Sequence, residues 1–69
     1  MINYLRHMAV FVKVVDEGAF RAAARELGVA PSRVSETVSD LEQYLGVTLF
    51  YRTTRKLFLT NEGQRFYAH

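Results

Sequence analysis

Residues 20–45 read FRAAARELGVAPSRVSETVSDLEQYL, and this stretch decides the fold. Phe20, Ala23, Ala24 and Leu27 recur at i, i+3, i+4 and i+7, while Val34, Val38, Leu41 and Leu45 recur at i, i+4, i+7 and i+11. Each set makes one side of a helix apolar. Gly28-Val29-Ala30 leaves only a tight turn between them. Pro31 suits the first helical position, where its missing N–H is not needed. Ala23 and Ala24 are small enough for a crossing helix to approach closely. Two such helices across a short Gly-containing turn form a helix-turn-helix, whose second helix can lie in a DNA major groove.

Working outward, the spacing predicts a preceding helix from Tyr4 to Asp16, capped by Asn3 and closed at Gly18. Tyr4, Leu5, Met8, Phe11, Val12 and Val15 share one broad arc of its wheel. Val10 and Val14 fall off that arc, toward its back. They read either as partly exposed valines or as a seam for another helix, from a partner subunit for instance. The second helix is predicted from Ala19 to Leu27 and the third from Pro31 to Leu45, stopped by Gly46. Ala30 stands at the third helix's N-cap, where it offers no side-chain acceptor and costs about 0.5–2 kcal/mol relative to Ser or Thr.

After Gly46 the apolar period changes. Val47, Leu49 and Tyr51 alternate with Thr48 and Phe50, and residues 57–60 form a second β-prone run. The polar, basic segment Arg52-Thr53-Thr54-Arg55-Lys56 lies between them, so a two-stranded hairpin, or wing, is expected over about 48–60. Thr60 can cap a last helix, with Glu62 near its positive end. Gly63 weakens that helix. Phe66 and Tyr67 add apolar surface, and the pattern stops midway at His69. A helix this short is marginal alone, so a longer parent chain or completion by a partner is expected. The fold class is mainly α: a winged helix-turn-helix over 1–60, with a three-helix core and a two-stranded wing, and the start of a linker helix over 61–69.

Composition narrows the function. A chain of 69 residues holds one domain, and its 49% hydrophobic content is ordinary for a globular one. No cysteine is present, which removes disulfides and thiolate metal sites. No apolar run approaches the roughly 18 residues of a membrane span, and no signal-peptide pattern opens the chain. His7 and His69 stand at opposite ends, without metal-ligand spacing, Gly-rich phosphate loop or nucleophile motif. No catalytic or metal site is expected, and the chain does not read as an enzyme.

The net charge of +2 is uneven: +1 over residues 1–28, −2 over 29–47 and +3 over 48–69. Phosphate attraction should therefore centre on the wing. The third helix carries Arg33 against Glu36, Asp40 and Glu42, so it cannot supply that attraction itself. Opposite its core stripe lie Ser32, Glu36, Ser39 and Gln43, flanked by Ser35. This face is either a solvated surface or a reader of base edges. The N-terminal half would do the reading, which makes Pro31, Ser32, Ser35 and Glu36 the candidate base contacts. Arg21, Arg33, Arg52, Thr54, Arg55 and Lys56 are the candidate backbone contacts. Val10, Val14, Phe66 and Tyr67 are the candidate dimerisation residues. A winged-helix dimerisation or docking module without DNA readout is the alternative, and the acidic third helix would suit it.

From Leu5 to Gly63 the chain resembles the N-terminal domain of LysR-type transcriptional regulators. The matching residues are Phe11 and Val14 with Gly18-Ala19-Phe20; Ala23-Ala24, Leu27 and Val29; Ser35, Val38 and Leu41-Glu42; Leu45-Gly46-Val47 and Leu49-Phe50; Arg52-Thr53-Thr54-Arg55; and Leu57, Leu59-Thr60 and Glu62-Gly63. The molybdate-responsive regulators carry a similar winged domain. The LysR-type resemblance implies a cytoplasmic bacterial regulator that binds interrupted palindromes in double-stranded DNA. It implies homodimers or homotetramers paired through the linker helix, and no membrane partner. It also implies no cofactor here, since a small-molecule inducer would bind a larger C-terminal domain that this chain does not carry.

Overall fold

The computed structural model describes residues 3–52 and 57–68, the side chain of Arg52 excepted. Its elements run α1 (Tyr4–Glu17), α2 (Phe20–Leu27), α3 (Pro31–Leu45), β1 (Phe50–Arg52), β2 (Leu57–Leu59) and α4 (Asn61–Ala68). The architecture is a winged helix-turn-helix, with three helices around one core, a two-stranded antiparallel hairpin and a fourth helix.

Local chemistry sets the helix ends. The Asn3 side chain accepts the Arg6 N–H at 3.2 Å and starts α1, which runs one residue past the expected Asp16. Ala19 is extended (φ −163°, ψ 148°) and caps α2 rather than joining it. The turn into α3 depends on Gly28, whose φ of 71° is cheap for glycine alone. There the Gly28 N–H reaches the Arg25 carbonyl at 3.3 Å and the Val29 N–H the Ala24 carbonyl at 3.0 Å. These paired bonds satisfy carbonyls that the helix end leaves open. Helix α3 spans Pro31–Leu45 as its sequence predicts, and Ala30 makes no side-chain cap.

The core consists of Phe11, Val14, Ala23, Ala24, Val34, Val38, Leu41, Leu49 and Phe50, all buried. The alanine pair lets α2 and α3 close on each other, and Phe50 carries the hairpin root into the core. Its ring lies 5.4 Å from Phe11 and 5.7 Å from Phe20, tilted and edge-on, which are favourable aromatic geometries.

Two expectations need correction. Val14 is fully buried, whereas Leu5, on the predicted inner arc, is 81% exposed. Both α2 and α3 pack on α1, so its covered side is turned away from the centre of the apolar arc. A residue sealed in the core cannot meet another chain, so Val14 is not a dimerisation residue. In the hairpin, Val47, Leu49 and Tyr51 do not share a face: Leu49 and Phe50 are buried in succession, while Val47 and Tyr51 are exposed. Alternation holds only inside the ladder, which begins at Phe50 and pairs it with Leu59, Tyr51 with Phe58, and Arg52 with Leu57.

Thr60 does cap α4. Its hydroxyl accepts the Gly63 N–H at 2.9 Å and donates to the Thr48 carbonyl at 2.5 Å. Gly63 is buried, and a Cβ there would overlap the Leu49 carbonyl oxygen and lie 2.9 Å from Leu59 Cδ2. The residue that weakens α4 by propensity is the one that lets it dock.

Candidate nucleic-acid interface

Helix α3 is held from behind by Val34, Val38 and Leu41, so its opposite side faces solvent. Pro31, Ser32, Arg33 and Glu36 are exposed on its N-terminal half, and Ser35 is half-buried beside them. The four candidate readers thus cluster at the end that follows the turn. The Thr37 hydroxyl donates to the Arg33 carbonyl at 2.8 Å, so it is engaged with its own helix. Arg21 on α2 is exposed. Thr54, Arg55, Lys56 and the Arg52 side chain, assigned to phosphates from sequence, lie outside the described residues.

The acidic charge of α3 is distributed less adversely than its sum suggests. Asp40 faces α1, with its carboxylate 3.9 Å from His7 Nε2. His7 Nδ1 lies 2.7 Å from the Asn3 carbonyl oxygen, which can only accept, so Nδ1 carries the proton. Glu42 turns toward the hairpin, and its Oε2 accepts the N–H groups of Leu49 at 2.7 Å and Phe50 at 3.2 Å. Only Glu36 stands among the candidate readers. Sequence reasoning missed the part played by Glu42, because a charged residue in a helix ordinarily reads as solvated. Its one available signal was its position beside the Val38–Leu41 stripe, ahead of a Gly46 turn.

Of the remaining dimerisation candidates, Val10 is half-buried against the core. Phe66 is half-buried, with its ring 5.3 Å from Phe11 and 6.5 Å from Tyr4. Tyr67 is exposed, and its hydroxyl donates to Asp16 Oδ1 at 2.5 Å. That bond and the Asp16 charge raise the Tyr67 pKa above its ordinary value. Among the described residues no three His, Asp or Glu side chains gather to hold a metal, and no helix is long and apolar enough to cross a membrane.

A helix-turn-helix with an exposed second helix and an attached hairpin defines a winged DNA-binding domain. Residues 5–64 match the model of the bacterial regulatory helix-turn-helix proteins of the lysR family, and the chain belongs to that family. It is a DNA-binding domain of transcriptional regulators, not an enzyme. It is 48% identical over 68 residues to a probable HTH-type transcriptional regulator, LtrA, of Klebsiella pneumoniae, covering 99% of this chain and 22% of that protein. It is 56% identical over 66 residues to an HTH-type transcriptional repressor of Pseudomonas aeruginosa, covering 96% of this chain and 21% of that protein. The chain therefore spans about a fifth of these relatives' length. The fold is similar to the BenM DNA-binding domain in its crystal complex with catB site 1 DNA, with a TM-score of 0.88 and 41% identity over 93% of this chain and 69% of that one.

Proposed function

We propose that this domain reads double-stranded DNA by laying the N-terminal half of α3 in the major groove. Pro31, Ser32, Ser35 and Glu36 meet base edges there. Arg21 and Arg33 take phosphates, together with Arg52, Thr54, Arg55 and Lys56 of the wing. The observation that carries this reading is the exposed cluster at the start of α3, set on a helix whose back is locked in the core. Serine hydroxyls tolerate either donor or acceptor edges, and glutamate accepts from the cytosine amino group. The similar BenM DNA-binding domain forms a crystal complex with catB site 1 DNA, which supports DNA as the ligand of this fold.

Two copies, joined through α4 with Phe66, Tyr67 and Val10 at or near the contact, would read the two halves of an interrupted palindrome. The whole protein would then be a cytoplasmic bacterial regulator whose remaining sequence binds a small inducer.

Fluorescence anisotropy against a random duplex at several salt concentrations tests the phosphate contacts. Five arginine and lysine contacts per subunit give a slope of log K on log salt of about −4 to −5. Salt-independent binding would refute the reading. Selection from a random duplex pool tests the base contacts. Glu36→Ala should change the selected sequence more than it changes random-duplex affinity, and an unchanged selected sequence would remove Glu36 from the readers.

A further inference from the structure

The hairpin root is tied to the helices at several points. On its entry side, Leu49 and Phe50 present their N–H groups to one oxygen of Glu42, seven and eight residues earlier on α3. On its exit side, the Thr60 N–H donates to the Leu49 carbonyl at 2.9 Å and its hydroxyl to that of Thr48. Helix α4 closes on the same Leu49 carbonyl through Gly63. Both Leu49 and Phe50 are buried, so their N–H groups have little access to water. A single acceptor oxygen at this reach satisfies both N–H groups, which an amide oxygen on a side chain of the same length could also do.

We propose that Glu42 is a positioning residue for DNA binding. Its carboxylate sets the angle at which the wing leaves the recognition helix, so that wing and helix engage one duplex together. The assignment rests on the DNA-binding reading above. In it, the segment between β1 and β2 supplies two of the five cationic phosphate contacts, Arg55 and Lys56. Those charges act only if the hairpin is aimed at the backbone that flanks the groove entered by α3. Core packing of Leu49 and Phe50 places the root, and Glu42 fixes the strand's direction from it.

Reach and charge can be separated at this position. Glu42→Gln keeps the length and an acceptor oxygen but removes the charge, whereas Glu42→Asp keeps the charge but shortens the arm by a methylene. Each variant is titrated against a random duplex over a salt series, at a temperature where its thermal unfolding curve shows it folded. Amide exchange at Leu49 and Phe50 is followed in parallel. Glu42→Gln should bind within about threefold of the unmutated chain, with the same salt slope. Glu42→Asp should bind at least about tenfold more weakly, with the slope reduced by about two phosphate contacts and faster exchange at both amides. A role in stability alone would lower the unfolding temperature and leave the slope intact, and that result would overturn the proposal. So would the reverse ranking, with Glu42→Asp normal and Glu42→Gln impaired. If the unmutated chain itself showed no salt-dependent binding, the DNA-binding reading would fall, and this assignment with it.

Discussion

Replacing Gly63 by alanine sets two physical effects of opposite sign against each other. Alanine is the better helix former by about 0.8–1 kcal/mol, so propensity alone makes Gly63→Ala stabilising. In the fold, the added Cβ would overlap the Leu49 carbonyl oxygen, with Leu49 C at 3.1 Å and Leu59 Cδ2 at 2.9 Å. The leucine methyl can swing away, but the carbonyl cannot, because it accepts the Thr60 N–H at 2.9 Å. Relief requires α4 to lift from the hairpin root. Overpacking of this kind costs about 1–3 kcal/mol, and a backbone obstacle puts it at the upper end. The net expectation is a loss of about 1–2 kcal/mol. At about 4–8 °C per kcal/mol for a domain of this size, the melting temperature falls by about 5–15 °C. Thermal unfolding followed by circular dichroism measures this, with the neighbouring exposed Gln64→Ala as a control for substitution in the same helix. A rise in melting temperature for Gly63→Ala would show that α4 does not sit against the Leu49 carbonyl, and would refute the close approach.

Further outcomes follow from other positions. Ala30→Ser supplies the missing acceptor at the start of α3, whose cap is already extended (φ −69°, ψ 145°), and should add about 0.5–2 kcal/mol in a denaturant melt. No gain would mean that the first turn's donors are already satisfied. Tyr67 has a raised pKa in the folded chain, so its bond to Asp16 contributes stability that is intact below about pH 10, the ordinary tyrosine value, and is lost as pH rises through the folded value. Tyr67→Phe should flatten that alkaline loss in melts taken across pH 9 to 12, and an unchanged alkaline limb would count against the bond. Arg55→Ala should weaken binding to all duplexes alike and reduce the salt slope by about one, whereas an unaltered slope would remove it from the phosphate contacts.

The legible parts of this fold were those governed by local rules. Helix α3 could be bounded from Pro31 and Gly46 because both act within a turn of where they stand. Thr60 was readable as a cap for the same reason. The unreadable parts depended on which neighbour arrives. On α1 the apolar residues span more of the wheel than the core covers, so periodicity could not choose Val14 over Leu5 for burial. Gly63 reads as a weak helix residue until a strand's carbonyl is brought against it. The exposure of Pro31, Ser32 and Glu36 at the start of α3 was visible because it is the complement of a clear buried stripe.

Charge is where tertiary structure most changes the sequence argument. Summed along the chain, α3 is an acidic helix facing a polyanion, which favours a docking surface over a DNA reader. In three dimensions the three acids part company. Asp40 lies toward His7 on α1, and Glu42 is committed to the N–H groups of Leu49 and Phe50, leaving Glu36 alone with the serines. A single carboxylate at a base edge is a selective feature, since it repels phosphates everywhere but gains a bond where a cytosine amino group is presented. The acid that sequence arithmetic counts against DNA binding, Glu42, is thus engaged inside the fold, by the two N–H groups at the hairpin root. In the proposed reading, three of the five cationic phosphate contacts (Arg52, Arg55 and Lys56) lie on the wing and the base readers lie on α3, and Glu42 joins the two at the hairpin root.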